Sequence, residues 1–269
     1  MWAIGFGFVL LGATACGASD AEPARAATEF PAGATVDYQL GGAYPPPGGV
    51  TLVVRDSTDN PAPGRYNVCY VNGFQSQPQD RDVWLAERRD LIVNDANGEP
   101  LVDENWPDEF ILDTSTADRR DRLAAILDDT VGSCAGKGFD AVEFDNLDSF
   151  TRSKGALTAD DNLALATTLT GIAHEAGLAA GQKNTAELAA RGRDDVGFDF
   201  AVAEECLRWE ECESYTSVYG QRVIDIEYTD DLPGSVEEVC AAPDRPDATV
   251  IRDRYLVPAG DPAYFHHPC

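Results

Sequence analysis

The sequence predicts a single-domain α/β fold, a (β/α)8 TIM barrel stabilised by disulfides. Short β-rich runs recur along the chain, and helical patterns separate most of the later runs. Alternating strands and helices favour a parallel sheet with helices outside. Once the amino-terminal segment is set aside, about 240 residues remain, close to the ~250 typical of one eight-stranded barrel.

Eight β-rich runs are predicted to be the barrel strands. They are residues 36–40, 51–56, 67–72, 139–145, 178–184, 198–205, 222–228 and 249–255. Residues 109–113 are an additional short candidate strand. An open doubly wound sheet is the alternative, but no GxGxxG follows an early strand, which disfavours a dinucleotide-binding fold.

Two segments have clear helical patterns. The first, 158–177, begins with Thr158 as N-cap and Asp161 in the first turn, and it ends at Gly177. The second, 118–138, places apolar residues 123, 126 and 127 at helical spacing and ends in glycines. Both helices would lie outside the barrel.

The amino terminus has the pattern of an export signal. Residues 1–16 are apolar and uncharged but too short to span a bilayer. Small residues precede Cys16 as in a bacterial lipoprotein cleavage site, so Cys16 is the candidate lipidation site, although no basic residue occurs before Arg25. We therefore expect an exported bacterial protein, extracellular or held at the cell surface through a lipid alone. Residues 17–33 would be a flexible linker and 34–269 the barrel domain.

Six cysteines remain after Cys16, and an even number in an exported chain predicts disulfides. Cys206 and Cys212 close the short loop CLRWEEC. Pairing Cys240 with Cys269 would tether the carboxyl terminus and leave Cys69 with Cys134, although other pairings are open. A metal site is the alternative, but no CxxC spacing occurs and the histidines are few. We expect neither a metal nor a cofactor.

The charge balance restricts the class of partner. The formal net charge is −27, from 47 acidic and 20 basic residues. Such a field repels nucleic acid and anionic lipid and attracts cations. Solubility or adaptation to salt would explain the same composition. We expect no nucleic-acid partner and a monomeric protein.

Polar residues follow the apolar part of most predicted strands. Carboxyl ends of barrel strands meet at one mouth, where barrel active sites lie. The segment AVEFDNLDSF places three carboxylates, Glu143, Asp145 and Asp148, at one such end. Similar positions are occupied by Asp56, Asn72, Lys183, Asn184, Glu204, Glu205, Glu227 and Asp253.

Clustered carboxylates with few histidines point to glycoside hydrolysis. That reaction uses two Asp or Glu side chains, one protonated and one ionised. A Ser-type hydrolase is disfavoured because no GxSxG occurs, and His174 lies within a predicted helix. DNLDSF also lacks the Gly and the distal Glu of an EF-hand calcium loop.

At these strand ends the sequence resembles the endo-α-1,4-polygalactosaminidases, glycoside hydrolase family 114. The resemblance extends from about Tyr38 to Asp253 and rests on GFDAVEFDNLDSF, GQKN, FDFAVAEECLRWEEC and VIDIEY. It implies a (β/α)8 fold. It also implies endo-hydrolysis of a cationic polysaccharide, an α-1,4-linked galactosamine polymer at least partly free of N-acetyl groups.

The family patterns at the fourth and sixth strands imply the catalytic pair. V-E-P-D-N matches residues 142–146, with Phe144 in place of proline, and implies that Asp145 is catalytic. N-E-Q-C matches residues 203–206 and implies Glu204, with Ala203 and Glu205 in place of the two amides. The first replacement removes an expected substrate hydrogen bond, and the added carboxylate at 205 would shift the pKa of the acid.

We expect Asp145 to be the nucleophile and Glu204 the general acid/base, with Lys183 stabilising ionised Asp145. Retention requires the carboxyl groups to be about 5–5.5 Å apart, and inversion about 6.5–9.5 Å; we favour retention. Tyrosine rings, including Tyr38, would contact the sugars. The predicted substrate-binding residues are Glu143, Asn146, Asp148, Lys183, Asn184, Glu227, Tyr228, Tyr70, Asp56 and Asp253.

Two other functions are open at this stage. The replacements at 203 and 205 are compatible with a carbohydrate-binding barrel that has lost catalysis. The acidic surface is compatible with a structural lipoprotein that holds cations.

Overall fold

Nine strands form one sheet in the computed structural model, which describes residues 1–2 and 29–269. The first eight are parallel and follow chain order, as predicted. They are β1 (Val36–Gln39), β2 (Leu52–Asp56), β3 (Tyr66–Asn72), β4 (Ala141–Asp145), β5 (Ala179–Lys183), β6 (Phe200–Glu204), β7 (Val223–Tyr228) and β8 (Ala248–Arg252).

A ninth strand, β9 (His266–Pro268), lies at the barrel seam. It pairs antiparallel with β8. On its other side, Nε2 of His266 lies 3.0 Å from the carbonyl oxygen of Val36 in β1. The sheet is therefore a nearly closed barrel, which confirms the predicted fold class.

The helices follow the later strands, as expected. They are α1 (Arg81–Glu87), α2 (Ala117–Lys137), α3 (Ser149–Arg152), α4 (Ala159–Glu175), α5 (Ala189–Arg191), α6 (Cys212–Tyr219) and α7 (Val236–Cys240). Residues 40–51 and 57–65, which join the first three strands, contain no helix. No helix in the described ranges combines the length and apolar character needed to cross a bilayer.

The two helices predicted from sequence have the expected ends. Thr158 and Asp161 form a reciprocal capping box at the start of α4, which satisfies two backbone donors. Gly138 ends α2 in a left-handed conformation, with φ of 94°, which a residue with a Cβ adopts at a cost.

A long connection, 73–116, separates β3 from α2. The predicted extra strand at 109–113 forms isolated bridges with residues 75, 92 and 102 within this connection and does not join the barrel sheet. The connection is thus a folded flap over the carboxyl end of β3.

Side chains alternate between the barrel interior and the layer between barrel and helices. On β4, Ala141 belongs to the interior cluster, whereas Val142 and Phe144 pack in the outer cluster with α2 and α4. Phe200 of β6 fills the interior beside Gly181 of β5, where a Cβ would lie 2.5 Å from its ring. Period two therefore decides which strand-end residues face the barrel axis.

The six cysteines outside the amino-terminal segment form the three predicted pairs. Cys69–Cys134 joins β3 to α2, Cys206–Cys212 closes the loop after β6, and Cys240–Cys269 joins α7 to the carboxyl terminus.

The packed domain begins earlier than the predicted boundary at residue 34. Phe30, within the predicted linker, is buried and stacks on Phe200 with ring centroids 5.1 Å apart. Its burial at the amino-terminal end of the barrel places residue 30 in the domain. The export segment, Cys16 and linker residues 17–28 lie outside the described residues.

Candidate active site

The carboxyl ends of β3 to β7 bring charged and phenolic side chains to the barrel mouth. Because alternate strand residues face inward, the last inward positions of these strands meet near the axis. Five inward-facing residues at or near these strand ends line one cleft: Tyr70, Asp145, Lys183, Glu204 and Tyr228.

Lys183 lies between the two predicted catalytic carboxylates. Its Nζ is 3.3 Å from Oδ1 of Asp145 and 3.3 Å from Oε2 of Glu204. The lysine side chain is 2% exposed, whereas those of Asp145 and Glu204 are 16% and 29% exposed. The two carboxylates reach the cleft while the cation between them stays buried. One buried ammonium therefore compensates two carboxylates at once.

A tyrosine hydroxyl donates to each carboxylate. Tyr70 donates to Oδ2 of Asp145 at 2.6 Å, and Tyr228 donates to Oε1 of Glu204. Asn184 adds a third contact to Glu204, with Nδ2 3.1 Å from Oε2. Each carboxylate is thus oriented by partners on neighbouring strands.

The surroundings of Glu204 favour its ionised form. Burial raises its pKa, but the charge of Lys183 and the hydrogen bonds from Tyr228 and Asn184 outweigh burial, so the net shift is downward. For Lys183, burial opposes the charge, yet Asp145 and Glu204 raise the pKa well above its usual value. The free site therefore holds an ammonium beside ionised Glu204.

Glu143 lies one layer deeper than Asp145 on the same face of β4. It is fully buried and accepts a hydrogen bond from Tyr38 at 2.6 Å, and Lys183 donates to that hydroxyl at 3.3 Å. Burial raises the pKa of Glu143 to about 7, despite the lowering effect of Lys183 and Tyr38. Glu143 thus supports Lys183 from below and does not line the cleft surface.

The added carboxylate at position 205 has its own counter-charge. Arg254, just after β8, donates to both oxygens of Glu205 at 3.0 and 2.8 Å. The same guanidinium lies over the ring of Tyr228, 4.2 Å from its centroid. The replacement at 205 therefore comes with a compensating arginine, a pairing that the sequence alone does not reveal.

The cleft has a volume of about 860 Å³, and its lining contains seven acidic and three basic residues. Of the predicted binding residues, Asp56, Asn146, Asp148 and Asn184 also line it. Asp148 is paired with Arg152 of α3 at 2.6 Å.

Three predicted binding residues are placed elsewhere in the described structure. Glu227 lies on the outward face of β7, because side chains alternate along a strand and its neighbour Tyr228 faces the barrel interior. Its side chain is fully buried there. Asp253 is buried and accepts hydrogen bonds from the backbone of Val257 and Phe265. Glu143 is covered, as described above. These three residues are buried and do not line the cleft.

The flap formed by residues 73–116 supplies cleft residues that sequence reasoning missed. Trp106 is 54% exposed and lines the cleft, as does Glu109. Both Asn72 and Gln75 donate to Oε2 of Glu109, at 3.0 and 2.9 Å. Burial raises the pKa of Glu109. Strand-end patterns could not identify these residues because they lie within an irregular connection.

Comparison with known proteins identifies the family. The family model of glycoside-hydrolase family GH114 matches residues 17–267. The chain belongs to glycoside-hydrolase family GH114. It is therefore a glycoside hydrolase, as the resemblance at the strand ends implied. No curated protein matches the sequence significantly.

Two solved structures share the fold of this GH114 chain. One is Aspergillus fumigatus Ega3 in complex with galactosamine, with a TM-score of 0.71 and 21% identity over 92% of this chain and 100% of that chain. The other is the glycoside hydrolase domain of PelA from Pseudomonas aeruginosa, with a TM-score of 0.58 and 14% identity over 84% of this chain and 96% of that one. Both similarities extend over most of the barrel.

Proposed function

We propose that this GH114 enzyme cleaves α-1,4-linked galactosamine polymers internally, with Asp145 and Glu204 as its catalytic carboxylates. The observation that carries the proposal is the arrangement of these two side chains around Lys183 at the mouth of the barrel. Both are open to the cleft, and each is oriented by a tyrosine hydroxyl.

The separation of the carboxylates supports retention of configuration. One oxygen of each lies 3.3 Å from the same Nζ, so these oxygens are at most twice that distance apart. A retaining pair is about 5–5.5 Å apart, and an inverting pair about 6.5–9.5 Å. The upper bound reaches only the short end of the inverting range. We assign Asp145 as the nucleophile and Glu204 as the general acid/base, the roles expected from the sequence. Because Glu204 is ionised in the free site, it has to gain a proton when the substrate binds before it can act as the acid.

The charge of the cleft supports a cationic substrate. Besides the catalytic pair, the cleft is lined by five acidic residues, among them Asp56, Glu109 and Asp148, against three basic ones. A deacetylated galactosamine polymer carries ammonium groups that these carboxylates would attract. The Ega3 structure, which shares this fold, contains galactosamine.

The test uses residues 29–269 produced with their disulfides formed. Partly deacetylated α-1,4-galactosamine polymer is incubated with this protein, with Asp145→Asn and with Glu204→Gln, and the products are analysed by mass spectrometry. Short oligosaccharides from the parent and none from either variant are expected. A folded parent that binds the polymer but releases nothing would instead favour a carbohydrate-binding barrel.

We also propose that the protein is exported, with Cys16 as the lipid-bearing residue and with a monomeric barrel. Three disulfides are typical of an oxidising compartment. Mass spectrometry of the cell-associated protein from its bacterial host would test this. A Cys16 residue carrying a diacylglyceryl group is the expected result, and an unmodified, soluble chain would contradict it.

A further inference from the structure

Three strand-end residues at the site are followed by a residue with left-handed backbone. Asn146 follows Asp145 with φ of 66°, and Asn184 follows Lys183 with φ of 50°. Glu205 follows Glu204 with φ of 61°. Asparagine tolerates this conformation better than most residues, whereas glutamate gains nothing comparable from its side chain. Position 205 therefore depends on other contacts to hold this turn.

Arg254 provides those contacts. Its two terminal nitrogens bind the two oxygens of Glu205 at 3.0 and 2.8 Å, while Asp230 holds the same guanidinium from the other side at 2.8 Å. The side chain of Glu205 is 12% exposed and that of Arg254 is 34% exposed. A two-pronged ion pair in this partly shielded place restricts both side chains more than a surface pair does.

Arg254 also contacts the second partner of the catalytic residue. Its guanidinium carbon lies 4.2 Å from the ring centroid of Tyr228, whose hydroxyl donates to Glu204. One arginine thus touches both the residue next to Glu204 in the chain and the tyrosine that hydrogen-bonds to it.

We propose that Arg254 is a positioning residue for Glu204: it neutralises and fixes Glu205, and it holds Tyr228 against the Glu204 carboxylate. This inference rests on the proposed role of Glu204 in hydrolysis. Without the arginine, an uncompensated carboxylate would sit next to Glu204, and the tyrosine would lose the group that covers its ring.

Other charged and phenolic groups also act on Glu204. Lys183 of β5 and Tyr228 of β7 contact it directly, with Asn184 as a neutral donor. Glu143 of β4 and Tyr38 of β1 interact with it through the electrostatic field. Arg254 also contacts Tyr228, so a change in Arg254→Gln combines the loss of the Glu205–Arg254 pair with the loss of the guanidinium over the tyrosine ring. Glu205→Gln removes the pair alone and so separates the two effects.

The experiment measures the titration of Glu204 directly. Carbon-13 NMR of side-chain carboxyl groups is recorded against pH for the parent, Arg254→Gln, Glu205→Gln and the double variant, with Glu204→Gln identifying the signal. Arg208→Gln is the matched control, because Arg208 pairs with Asp231 at 3.0 Å, whereas the ion-pair partner of Glu205 is Arg254. The pH profile of kcat/KM for polymer cleavage is measured alongside.

In Arg254→Gln, we expect the pKa of Glu204 to rise by about one unit, since an unpaired like charge disfavours the ionised form. The double variant should return to within a few tenths of a unit of the parent, and Arg208→Gln should match the parent. The alkaline limb of kcat/KM should move with the pKa of Glu204. Arg254→Lys, which keeps the positive charge, should leave the pKa of Glu204 near that of the parent. It replaces Arg254→Gln in the experiment if that variant does not fold.

An unchanged pKa in Arg254→Gln, or a double variant that keeps the full shift, would overturn the proposal. For Arg254→Lys, a rise as large as that expected for Arg254→Gln would also overturn it. A parent that cleaves no polymer would contradict the proposed function, and the NMR titration would still decide whether Arg254 acts on Glu204.

Discussion

At the scale of single residues, Lys183 controls the charge of the site. It is buried, yet it lies within 3.3 Å of both catalytic candidates and of the Tyr38 hydroxyl. Its short distances to two carboxylates compensate for the cost of burying an ammonium group. Removing it would leave two neighbouring carboxylates without a cation.

Lys183→Met is expected to lower kcat/KM for the polymer by roughly 100-fold or more, in the range seen when one charge-stabilising group is removed from an active site. The pKa of Glu204 should rise, because the charge of Lys183 is the largest influence lowering it. The alkaline limb of the pH profile should therefore move to higher pH. Lys154→Met is the control, since Lys154 is 63% exposed and 3.9 Å from Glu104. Equal kinetics of Lys183→Met and Lys154→Met would contradict the assigned role.

At the scale of elements, the outward face of β7 holds the loop that follows β6. Asp225 accepts a hydrogen bond from the backbone of Cys206, and Glu227 accepts one from the backbone of Leu207 at 2.8 Å. Both carboxyl groups are fully buried. Burial raises the pKa of Asp225 well above its usual value and that of Glu227 to about 7. This loop carries Glu205, so buried acids on β7 help to position the carboxyl end of β6.

These raised pKa values predict that stability falls as the pH rises from about 4.5 to above 7. In that interval folded Glu227 and Glu143 retain protons that the unfolded chain, with an ordinary value of 4.5, has lost. The stabilisation from these two groups is therefore complete below a pH of about 4.5, and it is lost as the pH rises through their folded-state pKa values of about 7. His174, whose pKa is raised by its hydrogen bond to Asp199, changes stability in the same direction.

Glu227→Gln should reduce this pH dependence by more than about 1 kcal/mol, since one unit of pKa shift corresponds to about 1.4 kcal/mol. Urea unfolding at several pH values between 4.5 and 8 measures the change. The exposed Glu237→Gln provides a comparison. An unchanged slope in Glu227→Gln would show that this carboxyl group does not retain its proton in the folded state.

At the scale of the whole molecule, two disulfides have separable roles. Cys240–Cys269 spans 29 residues and tethers the segment that carries β9, whereas Cys206–Cys212 spans 6 residues beside the site. Replacing Cys240 and Cys269 with serine should lower the free energy of unfolding by about 3–4 kcal/mol, from loop entropy, with activity retained while the protein is folded. Replacing Cys206 and Cys212 should lower activity more and stability less. The free energy of unfolding and kcat/KM are measured for both double variants. A larger loss of stability on replacing Cys206 and Cys212, or a larger loss of activity on replacing Cys240 and Cys269, would contradict the prediction.

The net charge of −27 predicts that salt weakens binding of the polymer. Raising the ionic strength from 0.1 to 1 M shortens the Debye length from about 10 to about 3 Å. KM for the deacetylated polymer should therefore rise several-fold, with a smaller change in kcat. A fully N-acetylated polymer, which lacks ammonium groups, is the control for binding. Equal salt dependence for both polymers would argue against recognition through charge.

Local sequence patterns determined the barrel strands and the long helices, and the cysteine positions favoured, without fixing, the disulfide pairs that the structure contains. Strand alternation and a capping sequence such as Thr158 to Asp161 act over a few residues, so their effect can be predicted without the fold. Strand-end motifs also identified Asp145, Lys183 and Glu204. Only the closed barrel decided which of the strand-end acids reach the cleft. Glu227 points outward and Glu143 lies too deep, although both follow the same pattern.

The remaining features depend on contacts between residues far apart in the chain. Barrel closure places Lys183 between carboxylates of β4 and β6, and it brings Arg254 to Glu205 across 49 positions. The flap delivers Trp106 and Glu109 to the cleft from an irregular connection. Short-range hydrogen bonding and periodicity do not predict these long-range contacts, because strand register and barrel closure determine them. The sequence by itself determined the elements and the chemical groups, and the tertiary structure decided which groups act on one another.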